Sequence, residues 1–333
     1  YEIKQRYPNL NYFDESCTGP YDPLPITVED LQEIYPLASQ KAKENEKVLE
    51  EVREITMKIE QGDRGYTELW NKIKELSVQD IKQIYRRINT DFDLWEGETD
   101  SFPYIPEVIE KLKEKNLLYE SEGAWVIDVK EETDKEPMPP LVVIKANGGT
   151  VYQTRELATL LSREKRFSLD EMWYLTDNRQ ELYFKQCFRA AKKGNLVKED
   201  TKLNFYGFGT MNGPDGKPFK TRTGGVMNLL DLIEMVKQEI RKRMNPAIEK
   251  EKQESIAEII TIAAIKYADF LSFRSKDYIF DVTKFADLEG KTGPYLLYST
   301  IRMKSLLEKV GLPNGLATKI KTVTDRELCM ALL

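Results

Sequence analysis

Val48, Leu49, Val52, Ile55 and Ile59 recur at helical spacing until Gly62 breaks the run. Such spacing predicts an amphipathic helix with one apolar stripe turned to a core. Its start signal is Thr27-Val28-Glu29-Asp30, a hydroxyl with an acid three residues on, which can satisfy the free amides of a first turn. Two further helices are expected over 64–75 and 77–89, the second opened by Ser77 and carrying Ile81, Ile84, Tyr85 and Ile88, and a fourth over 105–115. Residues 1–25 hold Pro8, Gly19, Pro20, Pro23 and Pro25 and are expected to form an irregular lead-in. Trp125–Val129 and Leu141–Ile144 are expected strands, with the charged stretch Lys130–Pro140 as an exposed loop between them.

After Gly148-Gly149 the period changes. A helix over 153–163, a strand over 172–176, a helix over 179–193 and a strand over 203–208 make an α-β-α-β series. Strands that alternate with helices predict a parallel sheet whose ligands gather at the carboxyl ends of its strands. Asp177 to Gln180 and the loop after Phe208 both lie at such ends. From Asn228 the pattern is helical throughout, near 228–244, 247–271, 292–310 and 324–333, with Gly290, Gly293-Pro294 and Gly311 to Gly315 as breaks. The divisions expected are a lead-in (1–25), an acidic helical insertion (26–120), an α/β core (121–227), a helical connector (228–322) and the start of a further helical bundle (323–333).

The chain has 333 residues, 41% hydrophobic and 32% charged, enough to bury a sizeable core. No apolar run nears the ~20 residues that span a bilayer, and no signal peptide opens it; a cytoplasmic protein without a membrane partner is expected. Cys17, Cys187 and Cys329 are odd in number and widely spaced, which indicates buried thiols and neither a disulfide framework nor a metal site. There is no histidine, which excludes Ser-His-Asp and Cys-His relays and any HExxH metal centre. A start at Tyr1 and an end inside an apolar helical pattern are read as a fragment of a longer protein. The charge is uneven: residues 29–136 carry 28 acids against 16 bases, residues 137–333 carry 24 against 32. A basic second half suits a polyanion such as RNA, and no DNA partner is expected; chance asymmetry between two surfaces is the alternative.

The loop Phe208-Gly209-Thr210-Met211-Asn212-Gly213-Pro214-Asp215-Gly216-Lys217-Pro218-Phe219-Lys220-Thr221-Arg222-Thr223-Gly224-Gly225 sets three cations on glycine-rich backbone between a strand and a helix. That composition fits a polyphosphate; a solvated turn has the same composition. Tyr152 and Glu156, four residues apart, share one helix face. Glu156 suits a guanidinium ligand through paired charge-assisted bonds, or is an ordinary first-turn acid.

The wording GFGTMNGPDGKPFKTRTGG resembles arginyl-tRNA synthetases in which the class I KMSKS signature is replaced by a KTR-type sequence. ESEGA at Glu120 to Ala124, GTVYQTRELA at Gly149 to Ala158, DNRQELYFKQ at Asp177 to Gln186, AIKYADFLSFRSKDYIFD from Ala264 and LEGKTGPYLLYSTIR to Arg302 agree in the same order. The resemblance covers residues 26–333. It implies an α/β fold: the second half of a class I Rossmann-type nucleotide-binding fold with a helical insertion, followed by an all-α region, without the HIGH-bearing part and most of the anticodon-binding domain.

The activity implied is arginine-tRNA ligase, with L-arginine, ATP carrying Mg2+ on its phosphates, and tRNA(Arg) as substrates. Tyr152, Glu156 and Gln180 would meet arginine. Gly209 and Met211 would meet adenine through backbone groups, and Lys217, Lys220, Thr221 and Arg222 the phosphates, with the choice among the lysines open. Asn178 or Asp177 would cap the helix after Gln180. Arg274, Tyr295 and Arg302 mix aromatics and cations as an RNA surface does, and as packed helices do too. The family's usual acid at Glu156 is Asp, Tyr183 stands where His is usual, and a second usual His near Phe205 or Tyr206 is missing. A non-catalytic RNA-binding or scaffold relative is the alternative, and a different class I synthetase a weaker one.

Overall fold

The computed structural model describes residues 1–217, 227–310 and 322–332. These form two compact units, one of Tyr1–Thr210 with Arg274–Lys276, the other of Met211–Phe273 with Asp277–Leu333.

The first unit opens with helix α1 (Glu2–Arg6), so the expected irregular lead-in is built into a core. Ile3 and Tyr12 are buried with Ile26, Ile34 and Leu69. Order comes from side chains that replace the missing ladder: Asn11 N donates to Asp22 Oδ2 at 3.0 Å, Asp22 N to Asn11 Oδ1 at 2.8 Å, and Tyr12 Oη to the Asp22 carbonyl at 2.6 Å. Helix α2 (Val28–Glu44) starts at Thr27, as its capping box predicts. The run to Gly62 is two helices, because the side chain of Asn45 accepts from Lys47 N and starts α3 (Glu46–Glu60). The reverse holds for the two helices expected about Ser77. Its hydroxyl donates back to the Ile73 carbonyl at 2.9 Å, and α4 (Arg64–Arg87) continues unbroken.

A 3-10 helix (Glu98–Tyr104) leads into α5 (Ile105–Glu114). An antiparallel sheet of β1 (Leu118–Ser121), β2 (Ala124–Ile127) and β3 (Leu141–Ile144) follows. ESEGA is its hairpin turn, with Glu122 and Gly123 both at positive φ, +51° and +77°. The loop after β2 is exposed for most of its length but pinned at Asp134, which takes both Arg189 amino groups at 2.7 Å. Arg189 holds that carboxyl far below the usual carboxylate range.

Next come α6 (Tyr152–Phe167), β4 (Glu171–Asp177), α7 (Glu181–Lys193) and β5 (Lys202–Phe208). β4 and β5 pair in parallel from Glu171↔Lys202 to Asp177↔Phe208, as the alternating pattern predicts, and their carboxyl ends lie side by side. Leu157, Leu160, Cys187, Ala190 and Leu196 bury completely with Val108, Ile127 and Val143. Met172 and Tyr174 turn into this core, while Trp173 and Leu175 on the opposite face are 62% and 64% exposed. A parallel strand pair with one apolar face uncovered departs from the rule that such sheets are covered on both faces.

The second unit holds the expected helices, α8 (Leu229–Lys242), α9 (Lys250–Leu271), α11 (Gly293–Val310) and α12 (Val323–Leu332), and a short α10 (Val282–Phe285). Two-residue strands β6 (Met211–Asn212) and β7 (Tyr278–Ile279) pair in parallel. Buried Lys237 on α8 meets Glu254 and, at 2.8 Å, Glu258 on α9, which satisfies an otherwise costly buried charge. A Cβ on Gly293 would fall 2.1 Å from the Ala263 carbonyl, so only glycine lets α11 start this close to α9. Among the described residues no helix is long and apolar enough to cross a membrane.

Candidate functional site

The first turn of α6 is fixed to β3 by Thr154, whose hydroxyl donates to the buried Val143 carbonyl and accepts from Val151 N. With that turn set, Tyr152 and Glu156 lie one turn apart on one face. The Tyr152 ring is 64% exposed. Glu156 runs inward, and its Oε1 is buried without a hydrogen-bond partner, as is the Tyr174 hydroxyl of β4. Burial pushes the Glu156 carboxyl above its ordinary range; Tyr174 and Arg163 act the other way and offset only part of it. Tyr183 on α7 closes the far side, its hydroxyl donating to the Tyr152 carbonyl at 3.1 Å. Cys187, fully buried below, has its thiol pushed up by burial and by the Glu156 charge, whereas Cys17 is only half-buried.

A buried carboxylate oxygen with no partner is costly in an apolar surround. Beside an exposed aromatic ring it suits a cation with several donors. Tyr152 and Glu156 stand on one helix, as their spacing predicts; Tyr174 and Arg163, the latter 5.2 Å over the Tyr174 ring, are not foreseen, though the strand alternation that turns Tyr174 inward is in the sequence.

Gln180 sits where β4 ends, exposed at the N-cap of α7. Neither residue expected to cap α7 does so, because α7 has no side-chain cap bond; Asp177 instead caps the 3-10 turn Asn178–Gln180 before it, its Oδ1 accepting from Arg179 N at 2.8 Å, and the Arg179 side chain holds its carboxyl down to about 2. Asn178 reaches elsewhere, donating to the Ser275 carbonyl at 2.8 Å. Gly207 on β5 is a site residue that sequence reasoning misses. A Cβ there would come 2.3 Å from Asn178 Oδ1, 2.8 Å from the Phe205 ring and 3.0 Å from Asn178 Cα. The glycine therefore lets the turn bearing Gln180 close over β5. Gly207→Ala is expected to cost about 2 kcal/mol of stability, the range of an overpacked contact, read as a lowered urea midpoint at unchanged slope.

Arg274 crowns the same strand end. Its guanidinium donates to the Gly207 carbonyl and lies 5.2 Å over the Tyr206 ring, and its carbonyl accepts from Gly209 N at 3.0 Å. The Gly209 amide is thus bonded within this unit. Tyr295 and Arg302 belong to the other unit. On α11 Tyr295 is 45% exposed, and Arg302 donates to the Tyr298 hydroxyl at 3.4 Å and lies 5.6 Å over that ring. Met211 and Lys217 also lie in the second unit, Met211 in β6 and Lys217 in a turn closed by Gly213 N on the Lys217 carbonyl at 2.7 Å, its side chain exposed. Lys220, Thr221 and Arg222 lie outside the described residues. Among the described residues no three acidic or Cys side chains gather to hold a metal ion.

Residues 18–282 match the family model described as tRNA synthetases class I (R), catalytic domain. The chain is 44% identical over 312 residues to an arginine-tRNA ligase of Alkaliphilus oremlandii, covering 93% of this chain and 53% of that protein. With an arginine-tRNA ligase of Agathobacter rectalis it is 43% identical over 329 residues, covering 96% and 55%. Among solved structures, the arginyl-tRNA synthetase of Plasmodium falciparum superimposes with a TM-score of 0.72 at 25% identity, covering 93% of this chain and 49% of that one. That of Thermus thermophilus gives 0.71 at 18% identity over 90% and 55%, a likeness of fold. The chain spans about half the length of the curated relatives it matches.

Proposed function

The chain belongs to the class I tRNA synthetase family matched through its arginine-type catalytic domain, and from that premise we propose that it carries the arginine-binding part of an arginine-tRNA ligase. The observation that carries this reading is the buried, unpartnered Glu156 Oε1 below the exposed Tyr152 ring. A guanidinium would supply the missing donors as a planar fork, with the ring across its apolar stem. Gln180 would direct its amide to the amino-acid end, in the family's manner.

The reaction is attack of the arginine carboxylate on the α-phosphate of ATP, which releases pyrophosphate and leaves arginyl-adenylate. A hydroxyl at the 3′ end of tRNA(Arg) then displaces AMP. Positioning and charge stabilisation carry such a transfer. Lys217, Lys220, Thr221 and Arg222 would face the phosphates, and ATP would arrive with Mg2+ held by those phosphates. Met211 would serve adenine by its backbone. Arg274, Tyr295 and Arg302 are proposed for tRNA, Arg274 through the side of its guanidinium not bonded to Gly207. The setting is the cytoplasm.

Histidine is absent from all 333 residues, so the HIGH signature of the family's other nucleotide half would have to come from outside them. The uncovered face of Trp173 and Leu175 supports such a complement, since a second half would cover it. The full-length protein containing these residues is expected to catalyse arginine-dependent ATP–pyrophosphate exchange, and the 333-residue chain alone to give none above background. Exchange by the chain alone would contradict the divided site. A full-length protein that binds tRNA but never exchanges would favour the non-catalytic relative.

A further inference from the structure

Arg155 stands between Tyr152 and Glu156 in sequence, and its side chain runs from the Tyr152 ring to two acids of the helical insertion. Its guanidinium meets Glu60 of α3 at 2.8 Å and Glu98 of the 3-10 helix at 3.4 Å. Its Cζ lies 5.3 Å from the centroid of the Phe102 ring and 5.4 Å from that of Tyr152. The same turn is gripped through the backbone, where buried Ser101 donates to the Arg155 carbonyl at 3.2 Å. Two segments of the helical insertion therefore converge on one guanidinium that supports the ring at the mouth of the arginine site.

We propose that Arg155 is a positioning residue for arginine recognition: set over the Tyr152 and Phe102 rings and paired with Glu60 and Glu98, it holds the Tyr152 ring in place and neutralises Glu98, the acid that would otherwise act on Glu156. This rests on the reading of Tyr152 and Glu156 as the arginine site. A guanidinium can lie flat against a ring while it forks to two carboxylates; an ammonium cannot do both. The groups that bear on Glu156 are Tyr174 of β4, Arg163 of α6, Tyr183 and Cys187 of α7, and Glu98. Of these, Glu98 is the like charge, and its influence on Glu156 is against ionisation. Arg155 compensates that charge where it arises.

Glu156 must be ionised to hold a guanidinium, so arginine binding fades as pH falls through the pKa of Glu156. In the full-length protein, titrated with L-arginine by calorimetry at a series of pH values, Arg155→Gln is expected to weaken binding about tenfold and to move the acid midpoint to higher pH. Arg155→Lys, which keeps the charge without the flat stack, should return the midpoint but not the affinity. Glu98→Gln should move the midpoint to lower pH, and decides the matter if Arg155→Gln does not fold. An unchanged midpoint in Arg155→Gln and Glu98→Gln alike would overturn the proposal, as would wild-type affinity in Arg155→Gln. An unsubstituted protein that fails to bind arginine, or a Glu156→Gln variant that binds it normally, would instead overturn the site on which the proposal rests.

Discussion

Glu156→Gln is expected to weaken arginine binding by about 3 kcal/mol, more than a hundredfold, in the full-length protein, while ATP binding changes little. The substitution leaves a desolvated guanidinium without its counter-ion, the costly way to break a buried charge pair. The same change should stabilise the ligand-free protein at neutral pH, because Glu156 Oε1 is buried without a partner there. Its folded-state pKa lies above the ordinary 4.5, with burial as the largest cause. Between the unfolded and folded values the folded protein holds the extra proton, so ligand-free stability falls as pH rises through that window. The Gln variant should lack that fall. Arginine titrations at fixed pH, beside thermal melts of both proteins across the carboxylate range, test both halves. Unchanged arginine affinity would reduce Glu156 to a first-turn acid, and a Gln variant less stable than the parent would mean the carboxylate has a protein partner after all.

Periodicity made the α6–β4–α7–β5 series legible, because the change from helical to alternating spacing is local. The placing of Tyr152 and Glu156 one turn apart on α6 was legible for the same reason. What escaped was decided by contacts distant in sequence or by competition between equal local signals. Asn45 and Ser77 both offer a polar side chain to the backbone; one caps a new helix and the other bonds back into its own, and nothing local distinguishes them. β1 escaped because Tyr119 and Glu120 are both exposed, so no alternation marks the strand. The lead-in escaped because its order comes from Asn11 and Asp22, eleven residues apart, rather than from a repeating pattern. Arg155 could not be interpreted from its own helix, since its partner Glu60 lies 95 residues earlier. Gly207 is visible as one of two glycines around Phe208, but which of them needs to be glycine depends on Asn178.

The phosphate loop is expected to act at a different stage from Glu156. Lys217 ends the described part of that loop with an exposed ammonium, and Lys220 and Arg222 follow in sequence. In adenylation the α-phosphate passes through its most charged arrangement as the carboxylate attacks and pyrophosphate departs. Cations aimed at those oxygens therefore gain more in the transition state than in the ATP complex. Lys220→Ala combined with Arg222→Ala in the full-length protein should slow single-turnover adenylate formation by roughly 2 to 4 kcal/mol, about 30- to 1000-fold. Equilibrium ATP binding should weaken by much less, and arginine binding should hold. Lys217→Ala alone should cost less than the pair if its ammonium stays in solvent. Equal losses in rate and ATP affinity would indicate uniform phosphate binding without preference for the transition state. No loss in either would make the run a solvated glycine-rich turn, and the cations that serve the phosphates would then have to come from the other half of the nucleotide site.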